Sequence, residues 1–407
     1  MLNIVENRDL HTGVPRWARP PAQILPHGSR PSKAVYDAVV VGTGISGALM
    51  AKALTEKGLG VLIIDKRDPV QGSTLASTAM IQHEIDVPLR DLSKKIGTEK
   101  AQRAWRRSAK AVEDLSQLIA ASAYDCDFQR KATLFLAGDE MGHRAMKDEY
   151  EARLAARLQA SYLTGSEVQN RFNMHRTAGI VSIASASCNP AKLTAAILND
   201  VCNNGAELVS NCRVEDFLAT NADVTLRLED AGKVTAKSAI FCTGYEIFKP
   251  LRNEAHNIVS TWALSAKPRS AVPDWLQTIL VWEAADPYLY FRMSENGELI
   301  AGGEDEEFEA AHFNPQKLVI KTDLILKKIE ALTGLSFYPP SHRWAAPFGT
   351  TATGLPLIGA VPGQPNIYGV MGFGGNGITF SQIASQIISA QIDGKTDPDA
   401  DLFAFKS

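Results

Sequence analysis

Three glycines spaced as G-x-G-x-x-G, at Gly42, Gly44 and Gly47, and an aspartate at Asp65 are suited to holding a dinucleotide. Gly42 allows a tight turn, Gly44 lets backbone approach a pyrophosphate, and Gly47 lets a helix pack closely on a strand. The helix that starts at Ile45 and Ser46 offers unpaired N–H groups and roughly half a positive charge to the phosphates. Asp65 stands where a carboxylate accepts hydrogen bonds from an adenosine ribose. Lys66 belongs to the same site; with Arg67 it reads either as a partner for a 2′-phosphate or as two solvated charges. A second glycine-rich segment lies about 300 residues on. Five of the nine residues from Gly369 to Gly377 are glycine, and a helix follows. Its backbone N–H groups and helix dipole suit a negative charge, or else it is a structural turn before the last helix.

Three further side chains have chemistry to offer. Arg292 ends an aromatic run, Tyr288-Leu289-Tyr290-Phe291-Arg292, and a guanidinium can grip a carboxylate bidentately. The alternative is an arginine at a strand edge making a structural ion pair. Tyr290 shares a strand face with Tyr288 and Arg292, as a wall, a hydroxyl donor or a core aromatic. His83 sits in an otherwise apolar row with Ile81, Ile85 and Val87; it is either a satisfied core histidine or a proton acceptor.

The elements that must position these groups follow from periodicity. Ala38 to Val41 and Val61 to Ile64 are short apolar runs, read as buried parallel strands flanking a helix from Ile45 to about Lys57. Residues 80–87 alternate like a strand. Residues 89–122 and 139–158 read as helices, and 128–137 as a strand. Thr164 and Glu167 have capping-box spacing; Asn189 and Pro190 start a helix as N-cap and first residue. Residues 256–310 look β-rich, with a hairpin turn at Glu295-Asn296-Gly297. The acidic run Glu304 to Glu307 reads as a solvated loop. Residues 1–33, with Pro15, Pro20, Pro21, Pro26 and Pro31, read as an extended arm that Trp17 and Leu25 can dock, or else as a disordered tail.

Composition sets limits. The 407 residues are 45% hydrophobic and 21% charged, ordinary for a globular protein of two or three domain-sized units. A net charge of −3 gives no reason to expect nucleic acid. The five cysteines form no C-x-x-C and read as reduced core residues; no metal site is expected. With no membrane-length apolar stretch and no apolar leader near the start, a cytoplasmic location is expected.

The chain resembles the D-amino-acid oxidase family of FAD enzymes, which includes glycine oxidase, sarcosine oxidase and D-amino-acid dehydrogenase. The resemblance rests on V-V-V-G-T-G-I-S-G, I-I-D, G-S-T-L-A-S-T, C-N-P-A-K-L, C-T-G-Y, Y-L-Y-F-R with N-G-E-L-I-A-G-G, T-G-L-P-L-I-G and G-F-G-G-N-G-I-T, in that order from about Ala34 onward. It implies an α/β fold: a discontinuous Rossmann-like FAD-binding domain (34–88, 155–250 and 340–407) with an inserted α+β substrate domain (89–154 and 251–339) built on a mixed or antiparallel sheet. It also implies that Gly42, Gly44, Gly47 and Asp65 hold the ADP half of FAD, and that Gly72, Ser73 and Thr74 run along pyrophosphate and flavin. Val214 would meet the adenine, Thr243 and Gly244 would flank the pyrophosphate, and Gly374, Gly375, Asn376, Gly377, Ile378 and Thr379 would lie beneath the flavin pyrimidine. Arg292 matches the family's carboxylate-binding arginine. Leu75 and Ala76 stand where some relatives have a flavin-linking histidine, and no cysteine follows Cys242, so non-covalent FAD is expected.

The expected activity is oxidation of a C–N bond in an amino acid or secondary amine, by hydride transfer to flavin N5 and hydrolysis of the imine. The alternatives are an FAD-dependent 2-hydroxy acid or polyol-phosphate dehydrogenase, which needs a base such as His83, and a flavin-binding subunit with no turnover.

Overall fold

The computed structural model describes residues 4–18, 23–251 and 256–405; Pro20 and Pro21 of the arm lie outside them. The glycine unit forms as read, with strand Val35–Val41, helix Ile45–Thr55 and strand Val61–Ile64. The two strands run parallel, Val41 level with Ile64. Every residue of Val61–Ile64 is buried, so both faces need apolar side chains and no alternation shows. Among the described residues these strands belong to an eight-stranded sheet. Its order is Leu357–Ala360, Ile367–Met371, Gly232–Phe241, Val35–Val41, Val61–Ile64, Glu207–Val209, and Val214–Ala219 and Val224–Leu228 extend it from Gly232–Phe241. The Ile45–Thr55 helix packs against Pro190–Asn203 and the last helix, Gly377–Ile392. Ser46 and Ser381 Oγ atoms meet at 2.6 Å across the second of these contacts.

A ten-stranded sheet forms the other layer, again among the described residues. It runs Thr12–Gly13, His342–Thr351, His256–Ala266, Leu299–Glu306, Leu289–Met293, Ile279–Ala284, Gln129–Ala137, Ala178–Ser187 and Met80–Gln82, with Ala160–Thr164 also on Ala178–Ser187. It is mixed: Ile279–Ala284 lies parallel to Gln129–Ala137, which is antiparallel to Ala178–Ser187. The sheets divide the chain differently from the expected boundaries. Residues 80–82, 160–164, 178–187 and 342–351 hydrogen-bond in the ten-stranded sheet rather than the nucleotide-binding one. Local alternation marks a strand but not its long-range partner, so this assignment was out of reach of periodicity.

Local chemistry explains several boundaries. The expected helix over 89–122 is two helices, Leu89–Ile96 and Thr98–Ala121, broken at Gly97 with φ +89°. The capping box forms: Glu167 N–H donates to Thr164 Oγ1, and Glu167 accepts from Thr164 N–H. Asn189 caps Pro190–Asn203 through Ala191 and Lys192 N–H groups. Gly297, φ +71°, turns the hairpin between Leu289–Met293 and Leu299–Glu306.

The acidic run is not a solvated loop. The strand continues through Glu306, so neighbours point to opposite faces. Glu304 is buried against Lys321 and Lys328 of helix Pro315–Thr333, and Asp305 faces a cavity. The arm docks through Trp17, which is 3% exposed, and through the short Thr12–Gly13 strand; the Leu25 side chain stays at the surface.

Candidate functional site

One cavity of about 820 Å³ runs between the sheets and connects the two glycine segments. At one end it is lined by Gly42, Gly44, Ile45, Ser46, Asp65, Lys66, Val214, Thr243 and Gly244; its middle by Gly72, Ser73 and Thr74; its far side by Gly374, Gly375, Asn376, Gly377 and Ile378. Two of the expected cofactor residues stand behind the wall. Gly47 serves the packing of helix on strand, since a Cβ there would collide with Gly42 O. Thr379 is buried and donates to Gln82 O at 3.0 Å.

The residues present fit a dinucleotide. The Ile45–Thr55 helix has Gly44 as N-cap and no side-chain cap, leaving its first N–H groups to a ligand. One of them, Ile45 N–H, donates to Thr74 Oγ1 at 3.0 Å, which ties the middle loop to the helix start. Ser73 Oγ is buried without a hydrogen-bond partner and lies 3.6 Å from the point a Gly244 Cβ would occupy. An orphaned hydroxyl beside a glycine turn is what a phosphate would satisfy. Asp65 Oδ2 accepts from Thr43 N–H and Oγ1 at 2.8 and 2.7 Å, and Oδ1 from Arg67 N–H at 2.9 Å. The carboxylate is thereby fixed, with lone pairs left on Oδ1. Lys66 and Arg67 are not solvated: both pair with Glu246, which follows the Thr243-Gly244 turn. Trp17 and Trp344 indole N–H groups hold the middle loop through Ser77 O and Ala76 O, at 2.7 and 2.8 Å.

A family model described as FAD dependent oxidoreductase matches residues 37–391, spanning both glycine segments and the loop between them. The chain belongs to this family. Gamma-glutamylputrescine oxidoreductase of Escherichia coli (strain K12) is 21% identical over 372 residues, 89% of this chain and 84% of that protein. Among solved structures, glycine oxidase from Geobacillus kaustophilus superposes with a TM-score of 0.75 at 17% identity, covering 92% of this chain and 99% of that one. L-proline dehydrogenase from P. horikoshii gives 0.75 at 18%, covering 93% and 97%. FAD is thus the dinucleotide, and the family's two-domain architecture is the fold.

The far end of this FAD dependent oxidoreductase's cavity is a chamber. Its walls are Phe135 and Trp282, stacked with centroids 4.0 Å apart, Tyr288 and Tyr290, stacked at 5.6 Å, and Tyr245. Tyr290 lies across Gly302, its strand neighbour, where any Cβ would strike the phenol ring. Asp86 and Asp305 enter the same space, and neither was singled out from sequence. Asp86 Oδ2 accepts from Gly375 N–H at 2.7 Å, and its oxygens press on Gly374 and Gly375 so closely that a Cβ at either would overlap them. Residues 82, 84 and 86 all strap this segment to the far glycine loop, through Gln82 O on Thr379, Glu84 O on Asn376 Nδ2 and Asp86 on Gly375.

Both aspartates are open to the chamber yet enclosed by protein. Burial pushes Asp86 up to about 6, against the Gly375 N–H that holds it down. Burial pushes Asp305 up to about 7; Thr261 and Tyr288 hydroxyls oppose this, and Asp86 adds to it. A raised carboxyl contributes stability that is complete below its ordinary range and is lost as pH rises through the raised value. The melting temperature of the FAD-loaded protein is therefore expected to fall as pH rises from about 4 to about 7, and to fall less in Asp305→Asn. Parallel curves for the two proteins would show that Asp305 is not the titrating group.

Two of the three expected catalytic side chains do not reach the chamber. Arg292 is 1% exposed, and its guanidinium is spent on backbone: Nε donates to Thr78 O at 2.8 Å and an Nη to Cys188 O at 3.2 Å, with the Trp17 ring 5.8 Å away. It does share a strand face with Tyr290, but the Thr78 segment and the arm close over it. Burial pulls its pKa down to about 10, against Cys188 and Glu295 nearby, and Arg16 adds to the fall. His83 is the satisfied core histidine: Nδ1 bonds Ala184 O at 3.0 Å, and the ring meets Trp105 edge-on. Burial lowers its pKa. Tyr290 alone lines the chamber. Sequence also missed Tyr245, although it ends the C-T-G-Y turn, and the arm's Val5 and Leu10, which line the nucleotide end.

Proposed function

We propose that the protein oxidises the C–N bond of an amine or amino acid, with FAD held non-covalently. The observation that carries this is continuity: the cavity that fits the dinucleotide opens, past the glycine loop at Gly374–Gly377, into an aromatic chamber. Bound FAD would accept the hydride from the substrate's α-carbon, the nitrogen lone pair closing the C=N bond, and water would then release the carbonyl product and the shortened amine. The protein's part is positioning and proton handling. Tyr245, Tyr288, Tyr290, Trp282 and Phe135 form a wall that orients an alkyl amine. Asp86, raised to about 6 beside the flavin-facing loop, can take the ammonium proton so that the amine reacts with its lone pair free. The relatives' names point the same way: two oxidise or dehydrogenate amino acids, and one acts on gamma-glutamylputrescine.

A hydroxy-acid or polyol-phosphate reaction is the weaker reading, because it needs an anion anchor, and Arg292 is sealed from the chamber. Non-covalent FAD is supported by the lining: among the described residues it holds no histidine, and its cysteines, Cys212 and Cys242, lie at the nucleotide end with thiols pushed up by burial. The five free cysteines suit a reducing compartment such as the cytoplasm, and no helix of the described residues is long and apolar enough to cross a membrane. The test is anaerobic. The yellow protein should release FAD on acid precipitation and bleach when a panel of primary amines, secondary amines and amino acids is added. Bleaching only by hydroxy acids would replace this reading; a flavin that stays oxidised with every compound would make the protein a carrier.

A further inference from the structure

The chamber lacks what an amino-acid carboxylate needs. The basic residues lining the cavity, among those described, are Lys66, Arg67 and Arg213, all at the Asp65 end. Lys66 and Arg67 pair with Glu246, and Arg213 faces Glu229 at 3.5 Å. At the opposite end Asp305 is deeply enclosed, and its Oδ1 has no hydrogen-bond partner. The groups facing it are Asp86, Tyr288 and Tyr290 across the chamber, the Thr261 hydroxyl, and Lys321 behind the strand. Lys321 is committed elsewhere: its ammonium lies 3.1 Å from Glu306, 3.6 Å from Glu304, and over the Trp262 ring. Glu140, Asp286 and Glu307 also line the cavity, and no salt bridge pairs them among the described residues.

An enclosed carboxylate that lines a cavity is costly unless a positive charge meets it. The phenol faces of Tyr288 and Tyr290 also attract a cation and offer a carboxylate nothing. Resting on the amine-oxidising reading above, we propose that Asp305 anchors a second ammonium group, so that the substrate is a diamine-type compound: an amine oxidised at one nitrogen and carrying a separate cation a few bonds away. The cation takes the place that a carboxylate holds in an amino-acid substrate, and Asp86, beside the glycine loop, serves the reacting nitrogen.

Three probes of matched length decide it: N-methyl-1,4-diaminobutane, N-methylbutylamine and 4-(methylamino)butanoate, each mixed anaerobically with the FAD-loaded protein while flavin reduction is followed. The diamine is expected to half-saturate reduction at a concentration lower than the monoamine by about tenfold or more, with the carboxylate probe weakest. In Asp305→Asn the diamine-to-monoamine ratio should collapse toward one. A carboxylate probe that binds tighter than the diamine, or a ratio that Asp305→Asn leaves unchanged, overturns the proposal. The wild-type ranking decides alone if the variant does not fold. If none of the three reduces the flavin, perturbation of the oxidised flavin spectrum ranks their binding instead. A diamine preference there would sustain the anchor while amine oxidation falls, and its absence would remove the anchor.

Discussion

Replacing Arg153 with methionine leaves two carboxylates buried without a counter-charge, and the protein loses about 3–5 kcal/mol of stability. Arg153, Glu84 and Glu149 are 0% exposed. Arg153 Nε donates to Glu149 at 2.8 Å, and one Nη pairs with Glu84 and reaches Ser182 Oγ at 3.2 Å. Burial pushes the Glu84 carboxyl up, but Arg153 and His83 hold it below its usual range. The triad also supports the chamber. Glu84 Oε2 accepts from the Trp282 indole at 2.8 Å, and the guanidinium lies 5.4 Å from the Phe135 ring, so the stacked pair on the wall rests on it. At about 2.1 cal/mol/K per residue of unfolding entropy, a loss near 4 kcal/mol lowers Tm by about 5 °C. Calorimetry checks this. Adding Glu84→Gln and Glu149→Leu to Arg153→Met should recover most of the loss, since an apolar or neutral trio costs less than an orphaned charge. If the triple variant is no more stable than the single one, lost packing rather than lost charge is responsible.

Gly42→Ala should yield protein that does not keep its flavin. Gly42 has φ +115°, a conformation that side chains rarely adopt, and a Cβ there would collide with the Cys242 carbonyl. That carbonyl cannot yield, because Cys242 N–H is bonded to Val41 O at 2.9 Å and the strands behind are in parallel register. The turn must open instead, which moves the N-terminus of the Ile45–Thr55 helix away from the pyrophosphate. Strain and steric overlap of this kind cost about 3 kcal/mol, or roughly 100-fold in FAD affinity. Equilibrium dialysis of FAD against the purified variant measures it. Gly58→Ala serves as control: Gly58 also has positive φ, but nothing stands within 4 Å of its Cβ position and it lies far from the cavity. Equal FAD affinity in Gly42→Ala and wild type would remove the turn from the cofactor site.

Local signals and long-range ones separate cleanly in this protein. The dinucleotide turn, the Thr164 and Asn189 caps and the Gly297 hairpin depend on residues close in sequence, and each formed where its residues stand. Sheet membership did not follow the same way. Residues 80–87 alternate like a strand, but which sheet takes Met80–Gln82 depends on Ser185–Ser187, about 100 residues away.

The sequence by itself determined the cofactor end: glycines at fixed spacing impose a backbone path, and that path is what a pyrophosphate recognises. It also put Tyr290 on one strand face with Tyr288 and Arg292, with wall, hydroxyl donor and core aromatic all open. Tertiary structure decided the substrate end. Arg292 and Tyr290 share a face, yet one is sealed by Trp17 and the Thr78 carbonyl while the other meets the chamber. Asp86 and Asp305, 219 positions apart, come together only because the Met80–Gln82 segment is strapped to the far glycine loop and the Leu299–Glu306 strand runs on past its glycines. Alternation tells which side of a strand a residue takes. Whether that side meets solvent, core or cavity is set by what packs on it, and no local pattern carries that information.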